Sequence, residues 1–320
     1  MGVSTAPCTI TISPGTDVQT TAASAGSGAV ICLNAGTYMQ TQTISPQSNQ
    51  VIRSTNSSSP AKILYTVAGG NAIAITQPNA TIKDLSVGGT SANRPQYAIL
   101  AYNTTGTRIY NVAVSYALIG IGINNNASDT EVRNSSVSYA GDGVGCVGCA
   151  QPSIWTNNSN NVRIVNNTIL NNGAGTNGGG DGEVDCFNSL NFLLQDTHMT
   201  NSMTPYIVSC DQALLLHNTI TGSREWGLDI VDTGFSSGSD YGLYDSNTIS
   251  ASRNGGGVLL NSKYNTFTRN AFSNNRLGPS PSGSCDGLNV RGSSFTGLHY
   301  YPDTIVNSAD ANNNEPACND

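Results

Sequence analysis

The stretch Asp181-Gly182-Glu183-Val184-Asp185-Cys186 carries three carboxylates at alternate positions. Side chains alternate faces along a strand, so a strand here turns Asp181, Glu183 and Asp185 one way and Val184 and Cys186 the other. Three acids on one face repel each other and call for solvent, a cation or a chemical task. Further acids follow at Asp211, Asp229 and Asp232, and bases at Lys263 and Arg291. Two chemistries fit such a wall. Carboxyl groups roughly 6.5–9.5 Å apart can serve as acid and base around a water, as in inverting glycosidases. Alternatively, Asp185, Asp211 and Asp229 could share a Ca2+, which takes six to eight oxygen ligands. The bland alternative is a solvated acidic face.

Composition narrows the field. The chain has 320 residues, a formal net charge of -7, 10% charged residues and 35 glycines. So few Lys and Arg argue against nucleic acid, whose phosphates need neutralising, and against anionic membranes. No apolar run is long enough to cross a bilayer. Eight cysteines, an Asn/Ser/Thr-rich surface and sequons at Asn103, Asn126 and Asn134 predict a secreted, extracellular, disulfide-bonded protein. A monomer is expected. Cys8 and Cys32 are expected to pair. Cys146-Val147-Gly148-Cys149 lacks a βαβ context for redox chemistry and a second pair for zinc, so a local disulfide is expected. Cys285 and Cys318 would staple the C-terminal stretch. Cys186 and Cys210 fall on neighbouring coils within disulfide reach, with a stacked pair of free thiols as the alternative.

The elements that must hold the acids repeat. After a strand at Cys8–Ile12, a short helix over Asp17–Ala25 and a strand at Ala29–Leu33, one theme recurs: apolar–x–Asn/Asp–x–x–apolar. It appears at Arg108–Ala117, Val132–Ala140, Arg163–Leu170, Leu194–Met199, Leu216–Thr221, Leu243–Ile249 and Phe267–Phe272. The interval is roughly 21–33 residues, a solenoid period. Ahead of each theme lies a triplet with apolar or Cys outer members: Ile99–Ala101, Ile121–Ile123, Val144–Cys146, Val184–Cys186, Val208–Cys210, Leu228–Ile230, Val258–Leu260, Leu288–Val290. Its outer members face in and its middle member faces out. Two or more short strands per coil predict an all-β, single-domain parallel β-helix. Residues 1–59 would form the cap and first coil, 60–300 the solenoid and 301–320 a tail. Asn at the corners needs no functional reading, because it tolerates left-handed backbone and its amide can bond to the next coil.

Aligned on these triplets, the middle column runs Leu100, Gly122, Gly145, Asp185, Ser209, Asp229, Leu259, Asn289. The next outward column includes Phe187, Asp211, Val231 and Arg291. Acids thus gather on three neighbouring coils, with Asp185 and Asp229 about 9–10 Å apart at Cα. Tyr206, Trp226 and Tyr241 become candidate sugar-stacking platforms. Arg224 beside Glu225 reads as a local ion pair or as a clamp for a substrate carboxylate. Gly173–Gly180 could form one wall of a cleft. His198 and His217 fall at exterior positions of the repeat.

The short helix, the following strand and Asn34-Ala35-Gly36-Thr37-Tyr38 resemble the N-terminal cap of pectin-lyase-like right-handed parallel β-helix proteins. Asp181–Asp185 is similar to a polygalacturonase strand, although Ser209-Cys210-Asp211 and Trp226-Gly227-Leu228-Asp229 stand where those enzymes carry an Asp pair and a histidine. Trp226–Asp232 looks like an alginate-epimerase strand without its Pro and His. The resemblance implies a carbohydrate-active enzyme. Pectate lyases of this superfamily use Ca2+ to bind a uronate and acidify its C5 proton, with Arg or Lys as base. Lys263, Arg291 or Arg224 match that base by placement, with the cation on Asp185, Asp211 and Asp229. The leading expectation is a polysaccharide lyase acting by β-elimination. The alternatives are an inverting hydrolase using Glu183, Asp185, Asp211 and Asp229, and a non-catalytic carbohydrate-binding or adhesive β-helix.

Overall fold

A computed structural model describes residues 6–141, 152–170, 183–231, 239–275, 288–291, 296, 298–300, 304–306 and 317–319. Its strands stack in parallel, each coil upon the last. Ile121 lies between Ile99 of the coil before and Ile154 of the coil after, and Ile154 lies against Val184. All four are fully buried. Repetition of apolar positions builds the core, because no single coil could bury its inner face alone. The chain forms a right-handed parallel β-helix of about nine turns, with one helix among the described residues.

Each full coil contributes three strands. One joins a ten-strand sheet that runs from Asn71–Ile75 to Ala317–Asn319. The other two flank a sharp bend. Glu131–Arg133 and Ser136–Ser138, for example, sit on either side of Asn134, whose φ is 52°. Asn111, Asn166 and Asp196 occupy the same bend in other coils, also at positive φ. Short amide and carboxyl side chains tolerate this backbone and bond locally.

A bend costs backbone hydrogen bonds, and buried polar groups must be satisfied. Here a column of side chains inside the bend does so. The Oδ1 atoms of Asn218, Asn247 and Asn270 accept from the backbone N–H of Thr197, Asn218 and Asn247, each at 3.0 Å. Their Nδ2 groups donate to the carbonyls of Leu194, Leu215 and Tyr244. This inner Asn column, one residue past the bend, is therefore structural.

The ends are closed differently. The helix Val18–Ala25 starts at Asp17, whose side chain accepts from the Thr20 N–H, and it buries Val18 and Ala22. The Cys8–Cys32 disulfide ties this cap to the first coil. At the far end Thr304–Val306 pairs with Ala271–Ser273, and Ala317–Asn319 pairs with Leu288–Arg291. Among the described residues no helix is long and apolar enough to cross a membrane. The Cys146/Cys149 pair, Cys285, Asp181, Asp232 and the loop 173–180 lie outside the described residues.

Candidate active site

The ten-strand sheet places the acids, and its register differs from the triplet alignment. The observed outer column runs Leu100, Gly122, Trp155, Asp185, Tyr206, Asp229, Val258, Asn289. Three coils are thereby corrected. Ile154–Asn157, not Val144–Cys146, supplies the strand before Val184–Leu190. Tyr206 replaces Ser209, and Val258 replaces Leu259. Asp185 and Asp229 keep their places, two rungs apart and about 9–10 Å at Cα, with Tyr206 between them. Asp185 is fully buried although both its sequence neighbours point into the core; Asp229 and Tyr206 are half-buried.

Asp211 does not join them. Its partner is Leu190, five residues beyond Asp185 and past a bend where Asn188 and Ser209 both take positive φ. Beyond that bend Asp211 belongs to a corner ladder. Its Oδ1 accepts from the Asp240 N–H at 3.0 Å, and the Asp240 Oδ1 accepts from the Lys263 N–H at 2.6 Å. Lys263 is thus a corner residue, away from Asp185 and Asp229. Burial pushes the Asp211 carboxyl up from its ordinary value, the Asp240 N–H opposes this, and the Asp240 charge adds to it.

Glu183 precedes the strand. It is 1% exposed, and its carboxylate accepts from Ser153 Oγ of the previous coil and from the Met203 N–H of the next at 3.3 Å. That role ties three coils together. Among the described residues no three His, Cys, Asp or Glu side chains gather to hold a metal ion. The Asp185, Asp211 and Asp229 set does not converge, because Asp211 lies around the bend.

The aromatic candidates divide likewise. Tyr206 stands in the acidic column, its ring T-shaped to that of Phe187 with centroids 5.5 Å apart. Trp226 bridges to Gly255 three residues ahead of Asp229. Tyr241 stacks on Tyr264 at 4.9 Å, on the corner that follows Asp211. Arg224 is held through its N–H by the Ser202 carbonyl. The charge beside Glu225 comes from Arg253; burial raises the Glu225 carboxyl and Arg253 partly offsets it. Arg291 lies one column over, in register with Leu260, which pairs in turn with Val231.

Two residues at this face escaped the triplet alignment. Trp155 lies directly beside Asp185, and its ring stacks parallel to Tyr97 with centroids 6.5 Å apart. Gly122 makes room for Tyr97, because a Cβ there would sit 2.5 Å from the ring. One signal could have found Trp155. Tyr102 to Arg108, Phe187 to Leu193 and Val208 to Leu214 each span six residues from sheet to theme. Counting six back from Arg163 gives Asn157, and hence Trp155.

Cys186 and Cys210 form a disulfide with Cα atoms 6.2 Å apart. They are not register partners, since Cys186 pairs with Ile207 and Ser189 with Cys210. The shared bend folds the two strands so that inward side chains on either side of it meet.

No protein-family model and no curated protein sequence matches the chain. Solved structures do. An alginate lyase from Paenibacillus sp. str. FPU-7 superposes with a TM-score of 0.63 at 13% identity, covering 93% of this chain and 98% of that one. The catalytic unit of a GH87 α-1,3-glucanase from Streptomyces thermodiastaticus strain HF3-3 gives 0.62 at 12%, covering 96% and 66%. The A-module of the Azotobacter vinelandii mannuronan C-5 epimerase AlgE6 gives 0.55 at 13%, covering 90% and 86%. The chain has the pectin-lyase-like right-handed parallel β-helix fold.

Proposed function

We propose that this protein is an exported carbohydrate-active enzyme that cleaves a polysaccharide by inverting hydrolysis, with Asp185 and Asp229 as its acid and base. One observation carries the reading: aromatic and acid alternate on successive rungs of one outer column, as Trp155, Asp185, Tyr206 and Asp229. Two acids two rungs apart can close to the 6.5–9.5 Å spacing that admits a water. Their environments differ, as unlike roles require. Asp185, withdrawn from solvent, gives its proton to the glycosidic oxygen as the C–O bond breaks. Asp229 takes a proton from the water that attacks the anomeric carbon from the opposite side. The rings of Trp155 and Tyr206 offer faces to the flanking sugars. Two disulfides support export to an oxidising compartment. Structural neighbours that include a lyase, a glucanase and an epimerase support carbohydrate chemistry without choosing among these.

A lyase retains one supporting observation: Arg291 stands in the column beside that of Asp229, two rungs on. The test is a panel of neutral and uronate polysaccharides with and without EDTA. New reducing ends, insensitive to chelator and without unsaturated-uronate absorbance, are expected. Chelator-sensitive absorbance would replace hydrolysis by elimination. Neither product on any substrate would end the enzyme reading. Asp185→Asn and Asp229→Asn should each lower kcat about 10²–10⁴-fold.

A further inference from the structure

A second concavity lies on another side of the solenoid. Most coils turn their bend with one left-handed residue, but between Val51–Ser54 and Ala61–Tyr65 the chain inserts a loop instead. That loop overhangs the bends of the following coils. Ser57 and Pro60 form its wall, and Asn111, Asn134 and Asn166 line the floor beside Ala113, Ser136 and Thr168, in a groove of about 350 Å³. The bend divides the two strand runs outside the ten-strand sheet, so the groove faces away from Asp185 and Asp229.

Among the described residues no charged side chain lines this groove, in a protein of net charge -7. Its polar groups are amides and hydroxyls spaced by the rungs. Ala113, Ser136 and Thr168 stand in register on three successive coils, about 4.8 Å apart. The amides are already oriented: Asn166 Nδ2 donates to Asn134 Oδ1 at 2.7 Å, and Asn111 Nδ2 to Oδ1 of Asp84 at 2.8 Å, a carboxylate one rung earlier whose other oxygen pairs with Lys83. The small Ala113 leaves depth between these groups. Fixed neutral donors and acceptors in a cleft of ligand size suit an uncharged polyol. Among the described lining residues there is no cation to hold a phosphate or a uronate, and the nearby Lys83 is paired with Asp84.

We propose that this groove is a separate binding site for a neutral oligosaccharide. It would hold a polymer on the side of the solenoid remote from the acids and raise the local substrate concentration there.

The test is calorimetric titration of the full chain with neutral β-linked glucose and xylose hexamers and, as the charged control, a mannuronate hexamer. Ala113→Trp fills the groove, and Ser136→Ala/Thr168→Ala removes hydroxyls with little effect on shape. At least one neutral hexamer should bind about tenfold more weakly to Ala113→Trp and several-fold more weakly to the double variant. Cleavage of short soluble substrates should not change. Trp155 and Trp226 lie on other elements, so ligand in the groove should leave tryptophan fluorescence unaltered. The proposal falls if no neutral hexamer binds, if both variants, melting like the parent, bind every hexamer normally, or if the mannuronate hexamer loses affinity to the same degree.

Discussion

Asp211 and Asp245 show how two aspartates on one scaffold respond to pH with opposite signs. The Asp245 carboxylate is held below its ordinary value, first by the hydrogen bond from Arg269 and further by Ser246. A carboxyl lowered on folding stabilises the protein above its unfolded pKa, and that contribution disappears as pH falls through the folded value. Parent minus Asp245→Asn should therefore be positive at pH 7 and shrink at pH values below about 3.8. Arg269 is largely exposed, so the effect should be small. Asp211 is raised by burial, so its protonated form favours folding, and that advantage is lost as pH rises through the folded pKa. Asp211→Asn keeps an acceptor for the Asp240 N–H and sheds the half-buried charge. It should match or exceed the parent at pH 7 and converge with it in acid. Urea midpoints across pH 2.5–8 check both; a loss of stability in Asp211→Asn at pH 7 would show that its charge is structurally required.

At the scale of elements, the bends explain both what the sequence disclosed and what it hid. Alternation placed Val184 and Cys186 inside and Asp185 outside, and spacing put Asp229 two rungs away. Alternation says nothing about a left-handed residue inside a strand. Ser209 is such a residue, at φ 50°, and it carries Asp211 around a corner that a straight strand would not have. Val144-Gly145-Cys146 matched the apolar–x–Cys pattern but lies sixteen or more residues ahead of the Arg163 theme, where the coils of Tyr102, Phe187, Val208 and Leu260 need six. Distance to the next theme was the better guide than composition of the triplet. The same bends set stability. The Cys186–Cys210 disulfide closes a 24-residue separation across one of them. Replacing both by Ser should cost about 3–4 kcal/mol, and the freed bend should lower activity because Asp185 is next to Cys186. Within the other bend, Asn247 accepts from the Asn218 N–H and donates to the Leu215 carbonyl. Asn247→Ala leaves both buried partners unmatched, at about 3 kcal/mol, measured by guanidinium unfolding. A cost below about 1 kcal/mol would mean that water replaces the amide.

For the molecule as a whole, the ladder that builds the core also creates its main hazard. A parallel solenoid ends in strands whose unpaired N–H and C=O groups can template another chain. Here Ile10–Ile12 pairs with Val30–Leu33, the helix Val18–Ala25 lays Val18 and Ala22 over the core, and Cys8–Cys32 locks the arrangement. Gln50 Nε2 adds bonds from the second coil to the carbonyls of Ala22 and Gly26, at 2.8 and 2.7 Å. Removing residues 1–26 would uncover Ile31 and Leu33, both fully buried in the intact chain, together with an open strand edge. The truncated protein should therefore associate end to end, giving concentration-dependent high-mass species by light scattering. Cys8→Ser/Cys32→Ser should keep the cap and stay dispersed, with only a lower melting temperature. If the truncated chain elutes as a dispersed species with native circular dichroism, the cap is not what guards this edge, and the charge of the outer surface must suffice to keep copies apart.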